Sequence, residues 1–267
     1  MSRVIITRSV PSLTSLCTYF VVDHLKESLY QTDLLYLPVK LKDKLLKRFL
    51  VSQQYWKNID FKTILKLLVH PGTKSLNLTQ VHVDDEILEI ISICRGLHEL
   101  YLTLHNWNTN SVSTNGLLKL FPCLPHLHII CLPRCNAVDD NVILCITEHC
   151  KKLAGLDINS CDQVTSKSIS ILSKSDQLLW VTLSKTNVCD EGIQNLVLGP
   201  SGKYLKELRL NDCSQLSNNV LQLIVEHCKD LEVLVFNDCS RIAGQMSLGD
   251  QETHLKNLKQ FTWSIHW

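Results

Sequence analysis

The sequence predicts a right-handed α/β solenoid, with a parallel β-sheet on its concave face, helices on its convex face and an α-helical module at the N-terminus. Two recurrences carry that prediction. The spacing Leu-x-x-Ile-x-Leu-x-x-Cys at Leu127, Ile130, Leu132 and Cys135 returns after 26 residues as Leu153, Leu156, Ile158 and Cys161. Its second position can be followed through Leu76, Leu100, Ile130, Leu156, Val181, Leu208, Leu234 and Phe261, at intervals of 24, 30, 26, 25, 27, 26 and 27 residues. A period of this size marks a unit that cannot bury its apolar face alone and stacks on like neighbours. An apolar residue followed by a capping residue then recurs in the same register, at Asp60, Asp84, Ser113, Asp139, Thr165, Cys189, Ser217 and Ala243. Six of these eight offer a side-chain oxygen to the free amides of a helix's first turn; Cys189 and Ala243 break the rule. Each unit therefore reads as a short strand, a turn and a helix, and right-handed stacking puts the strands side by side.

In chain order, residues 1–55 read as a helical module and 56–267 as about eight repeat units. After Pro11 and the candidate cap Ser12, the residues Leu13, Leu16, Cys17, Phe20 and His24 fall at three- and four-residue steps and share one helix face. In the second amphipathic stretch, LPVKLKDKLLKRFL, Pro38 suits the first turn and Leu41, Leu45, Leu46 and Phe49 lie on one side. A helical cap over the first repeat and a docking module are both consistent with this pattern. The interval of 30 residues between Leu100 and Ile130 holds an insertion, His105 to Ser111, that carries Trp107 on a polar loop. A second polar stretch, Leu248 to Leu255, precedes a last strand with Phe261 and Trp263 at inward positions.

Bulk properties exclude several function classes. A net charge of +1 over 267 residues gives no concentrated basic field for nucleic acid or a membrane surface. No run approaches the ~20 apolar residues of a membrane span, and the N-terminus lacks a cleavable leader pattern, so the expected location is cytoplasmic, nuclear or both. Of twelve cysteines, Cys135, Cys161, Cys213 and Cys239 end the strand pattern, and Cys94, Cys150 and Cys228 precede a repeat's first leucine by three residues. They read as buried, reduced thiols acting as small hydrophobes, without a zinc-type pair of Cys-x-x-Cys motifs. His149 and His227 occupy the same place in Glu-His-Cys-Lys at helix ends, a repeat echo. No phosphate loop, nucleophile elbow, metal triad or Cys/His pair is found, so neither catalysis nor a cofactor or metal is expected.

The motif with its capping residues resembles the cysteine-containing leucine-rich repeat common in F-box proteins, which select substrates for ubiquitin ligases. The segments SLTSLC from Ser12, LPVKLKDKLLK from Leu37, LLVHPGTKSLNL from Leu67 and LKNLKQFTW from Leu255 also resemble the antagonist of mitotic exit network family. That resemblance implies a non-enzymatic adaptor linked to ubiquitin-ligase complexes and late mitosis. Leu13-x(3)-Cys17-x(3)-Val21 resembles an elongin-binding box, and Leu37, Pro38, Leu41 and Leu45 resemble its cullin-contacting half. The same Leu37-Pro38-x-x-Leu41 also resembles the opening of a Skp-type F-box, with Lys40 where the acidic residue stands. The partners implied are an elongin-type or Skp-type adaptor, a cullin and a target protein held on the repeats. The alternative is a leucine-rich scaffold that masks a signalling partner of mitotic exit. Strand alternation places Tyr101, Cys131, Arg134, Asp157, Trp180 and Arg209 on the concave face. With Trp107, the aromatic and arginine residues Tyr101, Trp180, Arg134 and Arg209 are the candidate target-binding side chains, because these types dominate interface hot spots.

Overall fold

In a computed structural model the structure describes residues 12–25, 32–51, 60–103, 112–242 and 260–262. Trp107, Ala243, the stretch Leu248 to Leu255 and Trp263 lie outside them. The chain divides into two compact units, Met1–His70 and Pro71–Trp267.

The first unit holds α1 (Leu13–Asp23), a 3-10 turn (Thr32–Tyr36), α2 (Val39–Val51) and α3 (Phe61–Leu68). Ser12 caps α1, its hydroxyl accepting the Ser15 amide at 3.2 Å. Asp60 caps α3 by accepting the Thr63 amide at 3.3 Å and the Thr63 hydroxyl at 2.5 Å, bonds that hold its carboxyl below the usual carboxylate value. Leu45, Leu46, Phe49 and Leu50 of α2 and Ile64, Leu65 and Leu68 of α3 are buried, and the Phe49 and Phe61 rings stack at 5.2 Å. Arg48 lies over the Tyr19 ring at 3.2 Å, a cation–π contact tying α1 to α2.

The second unit is the repeat array. Its strands are β1 (Ser75–Leu78), β2 (Glu99–Leu102), β3 (Ile129–Cys131), β4 (Gly155–Asp157), β5 (Trp180–Thr182), β6 (Glu207–Arg209), β7 (Val233–Val235) and β8 (Gln260–Thr262). They form one parallel sheet in sequential order. Between them run α4 (Asp85–Ile91), α5 (Thr114–Leu120), α6 (Asp140–His149), α7 (Ser166–Leu172), α8 (Asp190–Leu198) and α9 (Asn218–His227). The register pairs Leu76 with Leu100, then Ile130, Leu156, Val181, Leu208, Leu234 and Phe261 in an unbroken row. This is the row traced in the sequence, and its members from Leu76 to Leu234 are fully buried. A residue every 24–30 positions thus fills one line of the interior, each closing its neighbour's apolar face.

Capping follows the sequence pattern. Asp84, Ser113, Asp139, Thr165 and Ser217 each accept a first-turn amide, whereas Cys189 makes no side-chain cap bond. A second device is read only from the structure: the residue after the cap reaches across to the next repeat. Asp85 accepts the amide and hydroxyl of Ser113 at 2.8 and 2.6 Å, and Asp140 those of Thr165 at 3.1 and 2.8 Å. Asp190 does the same for Ser217, and the Ser166 hydroxyl accepts the Cys189 amide at 2.9 Å. Burial raises the pKa of Asp140, but its bonds from Ser168 and Thr165 more than offset that and hold the carboxyl below its ordinary value. These Asp-Asp and Cys-Asp doublets pin each helix start to its neighbour.

Four of the turns after the strands carry the cysteine motif, and Thr186 takes the cysteine's place in the turn after β5. Arg134, Ser160, Lys185, Asp212 and Asp238 adopt φ between 55° and 61°, one per turn. A left-handed non-glycine residue costs on the order of 1 kcal/mol. Four of these amides offset that cost by donating to the next turn: Arg134 to the Asn159 carbonyl at 2.7 Å, and Ser160, Lys185 and Asp212 to those of Ser184, Asn211 and Asn237 at 2.8 Å. The thiol that follows donates backwards, Cys161 to the Leu132 carbonyl at 3.3 Å, Cys213 to Leu183 at 3.3 Å and Cys239 to Leu210 at 3.1 Å. The repeat cysteine is therefore a small hydrophobe that also satisfies a carbonyl of the preceding unit. Burial pushes the Cys213, Cys150 and Cys228 thiols up to about 12, so they stay protonated at neutral pH.

Candidate docking surfaces

Two surfaces carry the residues that the sequence singles out. The first is α1. Leu13 is 77% exposed, Leu16 49% and Phe20 55%, and Cys17 is exposed beside them. Val22 and Leu25 are buried and Val21 is half-buried. The three- and four-residue periodicity correctly put Leu13, Leu16, Cys17 and Phe20 on one face, and that face turns outward. Downstream, Pro38 is exposed, Leu37 and Leu41 are half-buried, and Leu45 is buried in the core of the unit. Leu45 is thus removed from the set of contact candidates, because α2 needs it, with Leu46 and Phe49, to pack the unit. Among the described residues Tyr36, at 85% exposure, Leu35 and Val39 add apolar surface around Pro38.

The second surface is the open face of the sheet. One row across it runs Tyr101, Cys131, Asp157, Thr182, Arg209 and Val235; the other runs Glu99, Ile129, Gly155, Trp180, Glu207 and Val233. The Trp180 indole lies across Gly155, where any Cβ would fall inside the ring, so this glycine is required by the close approach of its neighbour's side chain. Arg209 is not a free guanidinium, since its Nε donates to Glu207. Arg134 is exposed in the left-handed turn beyond β3, apart from the strand rows. Tyr101 is half-buried, and burial with nearby Glu99 raises its hydroxyl. The structure thus gathers Tyr101, Trp180 and Arg209 on one face, with Arg134 at its margin.

Beside the Arg209–Glu207 pair, burial favours the neutral forms of Cys131 and Asp157 on this face. Burial pushes the Cys131 thiol up to about 12, with Asp157 and Glu99 adding to it. Burial raises Asp157 as well, against the Asn159 amide and Arg209 that favour its charge. A protonated thiol is a poor nucleophile. Among the described residues no group of three or more His, Cys, Asp or Glu side chains is placed to hold a metal ion, and no helix is long and apolar enough to cross a membrane.

No family model matches the chain. Two curated yeast proteins do, both named antagonist of mitotic exit network protein 1. The protein of Candida glabrata is 24% identical over 183 residues, 67% of this chain and 35% of its own length. That of Saccharomyces cerevisiae is 29% identical over 154 residues, 57% of this chain and 28% of its own length. The chain resembles a homologue of these proteins. The matched stretch is about a third of each relative. Among solved structures, internalin C2 of Listeria monocytogenes aligns with a TM-score of 0.51 at 15% identity, over 88% of this chain and 96% of the other. A chain of the Rad7 and Elc1 complex of yeast aligns with a TM-score of 0.50 at 17% identity, over 96% and 67%. Both show the leucine-rich-repeat solenoid fold.

Two features escaped the sequence reading. The aspartates following the caps were visible as doublets at Asp84-Asp85 and Asp139-Asp140, but their reach across repeats needs the packing of consecutive helices. A row of basic side chains just before the strands was also missed, because its members are scattered in sequence and the net charge is close to zero.

Proposed function

We propose that the chain is a non-catalytic adaptor that recruits a target protein to a cullin-type ubiquitin ligase, docking through α1 and binding the target on the repeat sheet, in the control of mitotic exit. The observation that carries this reading is the outward apolar face of α1. Leu13 and Cys17, the first two box positions, remain exposed together with Leu16 and Phe20, while the third, Val21, is half-buried and Val22 and Leu25 are buried. A contiguous exposed apolar face rimmed by polar residues is the mark of an interaction site. A leucine and a cysteine one helical turn apart can enter a pocket on a partner as spaced anchors.

The names of the curated relatives support the link to mitotic exit, and a structural neighbour solved in complex with a second protein, Elc1, is in keeping with a repeat chain that takes a partner. Exposure of Leu13 and Cys17 favours an elongin-type adaptor over a Skp-type one. The buried Leu45 favours instead a scaffold that uses its helical unit only for packing, and this reading makes the opposite prediction for the same experiment.

That experiment is purification of the tagged full chain from cells under mild conditions, wild type against Leu13→Ala, Cys17→Ala, with co-purifying proteins identified by mass spectrometry. Elongin and a cullin are expected with the wild type and lost from the variant, at an unchanged unfolding midpoint. Recovery of a Skp-type adaptor moves the docking site to Leu37 and Pro38. Recovery of neither adaptor with a folded chain sinks the ligase reading in favour of a scaffold.

A further inference from the structure

The residues immediately before the strands form their own row. Backbone amides hold it in register: His98 donates to the Lys74 carbonyl, His128 to that of His98, and Ala154 to that of His128, each at 2.8 Å. Lys74, His98 and His128 therefore stand side by side at about the 4.8 Å spacing of neighbouring strands. His126 and Lys152 flank this row two positions earlier in their repeats, and both are exposed. The His98 and His128 rings meet edge to face at 5.0 Å. His128 donates its Nδ1 proton to the His126 carbonyl at 2.7 Å, which leaves Nε2 as its proton-accepting nitrogen. Lys74 reaches over Gly96, whose missing side chain leaves it room.

Burial, and then Lys74, His128, His126 and Lys152 in that order, hold His98 below the ordinary imidazole value. The groups facing His98 are thus cationic or able to become so. Glu99 follows it in sequence and accepts the Ser75 hydroxyl at 3.0 Å. Among the described residues neither Lys74 nor Lys152 pairs with a carboxylate. The sign changes at Lys152: Asp176 and Asp230 line the same shallow depression as His128 and Lys152, and beyond them Lys206 is paired with Glu232 at 3.8 Å, so the cationic stretch is short.

We propose that Lys74, His98, His126, His128 and Lys152 form a docking site for an acidic peptide segment of a partner protein, one that tightens as the histidines take up protons. Charge complementarity selects the occupant. Two permanent cations that lack a carboxylate partner and three imidazoles suit a few carboxylates, and each proton gained converts a neutral neighbour into a further partner. A nucleic acid strand fits this edge poorly, because its affinity rests on several permanent cations and a long track, whereas this row holds two lysines and ends at Asp176 and Asp230, which leaves room only for a short acidic segment. The inference is independent of the adaptor reading, since it uses no residue of the first unit.

The test is fluorescence anisotropy of a labelled peptide of alternating glutamate and serine, titrated with the full chain. Binding is expected to tighten several-fold between about pH 7.5 and about pH 5.5, a window that extends below the ordinary imidazole value because His98 is held under it, and to weaken with added salt. The double variant Lys74→Glu, Lys152→Glu abolishes binding; if it fails to fold, Lys74→Gln, Lys152→Gln does the same more weakly. His98→Gln, His128→Gln keeps the binding at the higher pH and loses most of the gain on acidification. The Leu13→Ala, Cys17→Ala variant binds the peptide like wild type, which separates this site from the adaptor face. Binding absent at both pH values, binding unaffected by the lysine changes, or affinity independent of pH overturns the proposal. So does a single-stranded oligonucleotide of matched charge that binds more tightly than the peptide.

Discussion

α1 and α9 are each about three turns long, and α1 is the more apolar of the two in sequence, yet they use their apolar residues oppositely. α9 buries Val220, Leu221, Ile224 and Val225, because it lies against α8 on one side and over the sheet interior. α1 packs on α2 and buries Val22, while Leu13, Leu16 and Phe20 face out. A repeat helix has a like neighbour on hand to close its face. Among the described residues the apolar stripe of α1 exceeds what its own unit covers. The difference teaches that amphipathic spacing defines a face, whereas burial depends on what the fold puts opposite that face.

The contrast makes separable predictions, since truncating a residue inside the repeats opens the core whereas truncating an exposed one on α1 does not. Leu208→Ala, in the fully buried row, is expected to cost about 2–5 kcal/mol in urea unfolding, and Leu13→Ala to change it by less than ~0.5 kcal/mol. Equal losses from the two changes would mean that α1 is part of a core. Next in size is Asp140→Asn, which weakens the bonds from Thr165 and Ser168 and is expected to cost about 1–3 kcal/mol at neutral pH. The Asp140 pKa is lowered by folding, so its stabilisation is present above its unfolded value of 3.8 and lost as pH falls through the folded one. The deficit of the variant should therefore shrink below about pH 4 in an unfolding series. The smallest effect is a gain: Cys189→Ser supplies the missing cap oxygen of α8 and is expected to add about 0.5–1 kcal/mol, read as a raised unfolding midpoint. No gain there would show that the Ser166 hydroxyl, 3.0 Å from the Cys189 thiol, already does the work of a cap.

The sheet register and the helix starts were legible in the sequence because both rest on local, repeated chemistry. A residue every 24–30 positions must be apolar to fill the interior line, and an oxygen before a helix satisfies its first amides, as at every described repeat helix but the one that follows Cys189. The cysteine positions were legible for the same reason, although the backward thiol bonds to Leu132, Leu183 and Leu210 were not, since they join residues 29 or 30 apart. The site was less legible. Tyr101 and Trp180 were placed on the right face by alternation, but the Glu207 carboxylate that takes up Arg209 and the indole lying across Gly155 depend on side-chain packing between strands.

The sequence by itself determined the solenoid, since periodicity is a property of one dimension and each unit repeats one solution to burying one face. Only the tertiary structure decided the rest. It turned Leu45 inward while leaving Leu13 and Cys17 outside, and it gathered Lys74, His98, His126, His128 and Lys152 from four repeats onto one edge. Those outcomes depend on which surfaces meet in space. Stacking brings residues ~26 apart to within one strand spacing, and no local pattern records which of them will find a partner there.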